Sequence, residues 1–184
     1  MQLTFITSNP AKAKYLEEYF HMPVSHRKLE LPEIQSLDLR EVVEDKVCRA
    51  FAIVQAPVLV EDVSVTFNAL KKLPGPLIKW FLETLGNEGL CKLLDGYEDR
   101  TALAEVMYAY YDGKELRIFH GSTKGSISKH PRGETTFGWD PVFIPCGHTD
   151  KTWAEMSGDE KHNTSMRKIA LIELATFLSR TKTG

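Results

Sequence analysis

The stretch Pro57-Val58-Leu59-Val60-Glu61-Asp62-Val63-Ser64-Val65 constrains the fold of this chain more than any other. A short apolar run rich in β-branched residues reads as a buried strand. Such a strand rarely runs into a bare acid pair, because a carboxylate withdrawn from water without a partner is costly. Two readings follow. Glu61 and Asp62 either cap a solvated strand end before a turn, or sit at the mouth of a core strand, where burial and a cation hold a carboxylate for chemistry.

Length and composition allow both. A chain of 184 residues suits one large domain or two lobes sharing a sheet, and 42% hydrophobic residues with 26% charged ones can furnish a core. The balance of 23 Lys and Arg against 25 Asp and Glu, a net charge of −2, argues against a duplex-binding surface but leaves room for a local basic pocket. Cys48, Cys91 and Cys146 are far apart and include no Cys-x-x-Cys, which suits a reduced chain. The histidines form no His-Glu-x-x-His, which weighs against zinc. No apolar run approaches the roughly 18 residues of a membrane span, and the N-terminal one is too short for a signal peptide. The expectation is a cytoplasmic protein with no membrane and no nucleic-acid partner.

Upstream of the acid pair, Leu3 to Thr7 predicts a strand that runs into Thr7-Ser8-Asn9-Pro10-Ala11-Lys12. Asn9 suits an N-cap and Pro10 the first position of a helix Pro10–Phe20. Lys12 opposes the dipole of that helix, a conflict that an anion at the helix start would remove; an ordinary capped helix is the plainer alternative. Val24 to Leu31 predicts an edge strand, and Leu31-Pro32-Glu33 a loop whose Glu33 is either solvated or aimed at the same cleft as Asp62. Asp38 opens a helix to about Val54 that buries Leu39, Val42, Val43, Val47, Ala50, Phe51 and Val54, with Lys46 at the border of the stripe, where lysines usually snorkel to solvent.

Downstream, Leu73-Pro74-Gly75-Pro76 is a turn, and Leu77 to Leu82 a helix with inward aromatics that carries Lys79. Asn87 starts a short helix ending near Gly96. Ala102 to Tyr111 and Glu115 to Gly121 read as a hairpin around Asp112-Gly113, and Ser122 to Ser128 as a third strand. Phe137-Gly138-Trp139-Asp140-Pro141 before a strand Val142–Ile144 suits either a flat ligand held by stacking or a packed turn with core aromatics. Asn163 or Thr164 caps a last helix through Ser179, with Ile169, Ala170, Leu174, Phe177 and Leu178 inward and the cations Lys161 and Arg167 about its start.

Together these features form the inventory that a nucleoside triphosphate with a divalent metal needs: cations near helix starts, two or three carboxylates and an aromatic slot. The chain resembles the inosine triphosphate pyrophosphatases, also called the Ham1 or RdgB-type nucleoside triphosphate pyrophosphatases. The resemblance runs through Thr7 to Lys12, Leu31-Pro32-Glu33, Glu61-Asp62, Phe67-Asn68-Ala69-Leu70 with Leu73-Pro74-Gly75-Pro76, Ile78-Lys79-Trp80-Phe81, Phe137 to Pro141, and Ala154-Glu155-Met156. It implies an α/β fold with a long twisted mixed sheet flanked by helices, a single domain over residues 1–184 with two lobes around a central cleft, and a homodimer. It also implies magnesium-dependent (or manganese-dependent) hydrolysis of ITP, dITP and XTP to monophosphate and pyrophosphate, which removes deaminated purines from the nucleotide pool.

The same resemblance puts Thr7, Ser8, Asn9 and Lys12 at the phosphates, with Lys46 and Lys79 as further phosphate or ribose contacts. Glu33 and Asp62 fall on the metal and water-activating positions, and with Lys12 make the catalytic set. Phe137, Gly138, Trp139 and Asp140 fall on the base pocket, with Lys161 and Arg167 on the base edge or phosphate. Three positions depart from the pattern. Met166 stands where the family has a base-reading histidine, Val63 where it has a small hydroxyl residue, and Tyr15 where an acid is common. A thioether cannot replace the histidine's donor. Two alternatives therefore stand beside the enzyme: a catalytically silent nucleotide-binding or sensing protein, or the same pyrophosphohydrolysis on a different nucleotide.

Overall fold

A computed structural model describes residues 3–21, 23–134, 138–147 and 150–181. Seven strands form one mixed sheet flanked by five α-helices. In chain order these are β1 (Thr4–Ile6), α1 (Pro10–Phe20), β2 (Ser25–Arg27), α2 (Leu39–Val54), β3 (Val58–Phe67), β4 (Pro74–Gly75), α3 (Ile78–Lys92), β5 (Thr101–Tyr111), β6 (Leu116–Ile127), β7 (Phe143–Pro145), α4 (Gly158–Thr164) and α5 (Met166–Thr181). The sheet runs β2-β1-β3-β5-β6-β7, with β4 paired on β3. β1 is parallel to β2 and to β3, while β4 on β3 and β7 on β6 are antiparallel.

The chain divides into two compact units. The first comprises Met1–Asp62, Met107–His120 and Ala170–Gly184, and the second Val63–Val106 and Gly121–Ile169. The first has a core of Ile6, Val43, Val47, Ala50, Val58, Val60 and Ala109, in which β1 and β3 meet one face of α2. Capping fixes where its helices begin. Asn9 Oδ1 accepts from the Ala11 N–H at 3.0 Å with Pro10 at the first helical position, and Asp38 Oδ1 accepts from the Arg40 N–H at 2.8 Å. β2 lies at the sheet edge with all three residues exposed, as a charged edge strand should.

In the second unit Val65, Phe67, Leu90, Leu94, Phe143 and Trp153 are buried. The Arg100 guanidinium closes the end of α3 by donating to the carbonyls of Cys91 and Leu94, and it also donates to those of Ile127 and Ser128, at 2.7–3.1 Å. A cation at the helix C-terminus and four satisfied carbonyls make this arginine a structural hub.

Several expectations need correction. The strand does not stop at the acid pair: β3 continues through Glu61 and Asp62 to Phe67, because Val63 and Val65 extend the β-branched pattern. Glu115–Gly121 and Ser122–Ser128 are not two strands but one, β6, and the turn before it is fixed by Asp112 Oδ1, which accepts from the Lys114 and Glu115 N–H groups. At Gly113, with φ of 93°, a Cβ would lie 2.5 Å from the Phe51 ring, so only glycine fits. Trp80 does not pack inward; it is 58% exposed. The last helix starts at Met166, with Ser165 Oγ accepting from the Arg167 N–H at 3.2 Å, so its cap is Ser165 and not Asn163 or Thr164, and a separate helix precedes it. Ser157 and Glu160 form a capping box that starts α4, and the chain breaks at Ser165 before α5. On α5 Leu171 is buried rather than Ile169, and Phe177 and Leu178 are half-buried. No helix among the described residues is long and apolar enough to cross a membrane.

Lys71 ends the short 3-10 turn Asn68–Leu70 with φ of 62° and ψ of −96°. Glycine tolerates this conformation and an L-residue does not; such strain costs about 1–3 kcal/mol, against about 0.5–1 kcal/mol for the extra freedom of an unfolded glycine. Lys71→Gly is therefore expected to stabilise the protein by about 1 kcal/mol, raising Tm by roughly 2–4 °C for a chain of this size. A lower Tm in thermal unfolding would show that the lysine is relaxed there.

Candidate active site

Successive residues of a strand point to opposite faces of the sheet, so the adjacent acids of β3 cannot share one partner. Glu61, only 3% exposed, meets Lys12 of α1 at 3.1 Å. Asp62, half-buried, meets Lys46 of α2 at 3.0 Å. Lys46 Nζ also lies 3.1 Å from Glu33 Oε1, on the loop that precedes α2. Burial opposes the charge of Lys46, but Asp62 and Glu33 outweigh it, and the ammonium titrates above the ordinary lysine range.

The structure thus pairs Lys12 with Glu61 and, on the other face of the strand, gathers Lys46 with Glu33 and Asp62, all within the first unit. Lys46 does not snorkel to solvent; two carboxylates hold it. The dipole conflict at Lys12 is relieved by the protein's own Glu61. Thr7 Oγ1 accepts from the Asn9 N–H at 3.0 Å and Ser8 is exposed, so Thr7-Ser8-Asn9 forms a short turn leading into the capped start of α1. Glu61 is the residue that the site assignment from sequence leaves out. Its place beside Asp62 was the available signal, and its near-complete burial against a lysine gives it a role in fixing Lys12.

Glu33 and Asp62 converge on one cationic position, which Lys46 Nζ occupies. Magnesium takes one or two carboxylates and completes its shell with phosphate oxygens and water. Among the described residues no group of three or more His, Cys, Asp or Glu gathers. Two carboxylates on one cationic position would suit a magnesium ion that completes its shell from a substrate and water.

A second group lies in the second unit. Trp139 meets Phe143 edge-to-face and Trp153 at a tilt, with ring centroids 5.7 and 5.4 Å away, and Trp153 is anchored by Nε1 donating to Thr164 Oγ1 at 2.8 Å. Asp140, 4% exposed, is in contact with Lys161 of α4. Burial pushes its carboxyl above the usual carboxylate range, although the charges of Lys161 and Arg167 pull the other way. The Gly138 carbonyl accepts from Asn87 Nδ2 at 3.1 Å. Phe137 lies outside the described residues. Met166 is fully buried at the start of α5, where its thioether is core material. Lys79 is exposed, with Nζ 5.3 Å from the Trp80 ring centroid. Asn87, Trp153 and Thr164 join this group without having been marked as site residues by the sequence, since their contacts are made across long stretches of chain.

Comparisons with known proteins place the chain by family and by fold. The Ham1 family model matches residues 3–177. A protein of Ajellomyces capsulatus named inosine triphosphate pyrophosphatase is 43% identical over 97% of each chain. Trypanosoma cruzi inosine triphosphate pyrophosphatase 2 is 41% identical over 94% of this chain and 90% of its own. In fold, the chain superposes on the Staphylococcus aureus Ham1 protein with a TM-score of 0.83, at 24% identity over 97% of this chain and 99% of the other. A HAM1 protein from Coxiella burnetii gives a TM-score of 0.82, at 24% identity over 98% of this chain and all of the other. With a family match over nearly its whole length and relatives above 40% identity, this chain belongs to the Ham1 family.

Proposed function

We propose that the chain hydrolyses inosine triphosphate and related deaminated purine nucleoside triphosphates to the monophosphate and pyrophosphate. The observation that carries this reading is the lysine clamped between Glu33 and Asp62, in a chain 43% identical to a relative named for that activity. Lys12 and Lys46 neutralise the polyphosphate, with Thr7, Ser8 and Asn9 as neighbouring contacts and Lys79 as a further one. Asp62 takes a proton from the attacking water, whose oxygen bonds to the α-phosphorus while the bond to the β-phosphate's bridging oxygen breaks and pyrophosphate leaves. Glu33 and Asp62 are the residues that hold magnesium when it binds, and the ion supplies charge neutralisation on the phosphate oxygens. Most of the rate comes from positioning and preorganised charge.

Gly138, Trp139 and Asp140, with Phe137, take the base, and Lys161 and Arg167 read its edge or clamp phosphate. Met166 offers that edge no donor. The family resemblance is also the support for a single catalytic domain and a homodimer, and three free cysteines suit a reducing, cytoplasmic setting.

The decisive assay is pyrophosphate release from ITP, dITP, XTP, GTP and ATP with magnesium. Folded protein that turns over none of them ends the reading. Asp62→Asn is expected to keep nucleotide binding while turnover falls by at least about a hundredfold, the scale of a lost general base; near-normal turnover would remove Asp62 from that role.

Asp140 gives a separate check. Its folded pKa is raised, so between the unfolded value of 3.8 and the folded one the native state binds more protons than the unfolded chain. Stability therefore falls as pH rises through that window. Asp140→Asn is expected to flatten the fall in unfolding free energy from just below pH 4 upward, while weakening ITP binding. Denaturant unfolding at several pH values measures the first effect; an unchanged pH profile would refute it.

A further inference from the structure

The second segment of α3 begins with a polar atom that no described residue satisfies. Gly86, with φ of 65° and ψ of 178°, breaks the helix, and Asn87 follows. An asparagine at a helix start ordinarily turns Oδ1 back onto its own backbone as a cap. Here Nδ2 donates instead to the Gly138 carbonyl at 3.1 Å, and Oδ1 is buried with no hydrogen-bond partner among the described residues. Turning the amide over would set Oδ1 against the Gly138 carbonyl, acceptor against acceptor, so the orientation is fixed by its partner. Buried acceptors without a donor are few in native structures, and an unmet ligand bond is one reason to keep one.

We infer that Asn87 is a specificity-determining residue, which holds the Gly138-Trp139-Asp140 turn through Nδ2 and accepts the ring N1–H of a 6-oxopurine through Oδ1. The inference rests on the reading of that turn as the base pocket. Hypoxanthine and xanthine carry a proton on N1, beside the 6-oxo group, whereas the N1 of adenine is a lone pair. Against Oδ1 the first pair gains a hydrogen bond and adenine opposes two acceptors, the kind of mismatch by which a polar site rejects an analogue. Guanine also carries N1–H, so Asn87 separates ITP from ATP and leaves GTP undiscriminated. With Met166 buried, this acceptor supplies base-edge reading that the thioether cannot.

The test compares Asn87→Leu, similar in size and without polar atoms, with Asn87→Ala, which cannot overpack the site. For each, kcat and KM for pyrophosphate release are measured with ITP, GTP and ATP, and IMP and AMP affinities by calorimetry. The ratio of kcat/KM for ITP over ATP is expected to fall at least about tenfold in whichever variant folds, carried by KM for ITP, with GTP falling alongside ITP and IMP losing affinity where AMP does not. If ITP and ATP decline together, or the ratio stays within twofold of wild type, Asn87 only braces the turn and the inference fails while the function stands. If the wild-type protein itself shows no ITP hydrolysis, the proposed function fails first and takes this inference with it.

Discussion

Carrying two adjacent carboxylates through a strand in the sheet interior is feasible only because the pleat sends them to opposite faces, where each finds its own lysine. Glu61 with Lys12, and Asp62 with Lys46 and Glu33, turn what would be an unpaired buried charge into paired ones. Removing one partner of a buried pair costs about 3–5 kcal/mol, so each lysine is bound to the fold as well as to the chemistry proposed for it. The dependence extends outward. Lys12 reaches Glu61 because Asn9 and Pro10 start α1 where they do, and Lys46 reaches Asp62 because the apolar stripe of α2 seats against β1 and β3.

Much of this was legible in the sequence, and the reasons differ by element. The starts of α1 and α2 are written in local chemistry, Asn9-Pro10 and Asp38, and local chemistry survives folding. The edge character of β2 follows from its charges. The end of β3 was misplaced because an acid pair looks like a terminus when its partners are invisible; the lysines that make it internal lie 16 and 49 positions away. The α4–α5 break was hidden for a different reason. Thr164 resembles a cap, but its hydroxyl serves Trp153, and the cap of α5 is Ser165, whose Oγ accepts from the Arg167 N–H, while Ser157 and Glu160 cap the separate α4.

The two groups show opposite electrostatic strategies. In the first unit Asp62 and Glu33 sit beside Lys46 and keep it charged despite burial. In the second, Asp140 is buried so deeply that Lys161 and Arg167 do not bring its titration back to the ordinary range. A paired charge that stabilises the fold is cheap to maintain. One that is held against its own desolvation persists where a ligand or a function rewards it, which is why Asp140 is a better mark of a binding role than any surface ion pair on the molecule.

Of the three departures that the family resemblance marks, Tyr15 lies in the first unit and Val63 and Met166 lie in the second. Lys12, Glu33, Lys46 and Asp62, to which the proposed bond cleavage is assigned, all lie in one unit. Met166 lies in the other, and so does Asn87. Selectivity between bases is a difference of one or two hydrogen bonds, whereas phosphoanhydride cleavage needs the whole charged constellation at once. A chain can therefore exchange the side chains that read the base without disturbing those that break the bond. Met166 is packing material in the core, and Asn87 Nδ2 donates to the Gly138 carbonyl in the same unit.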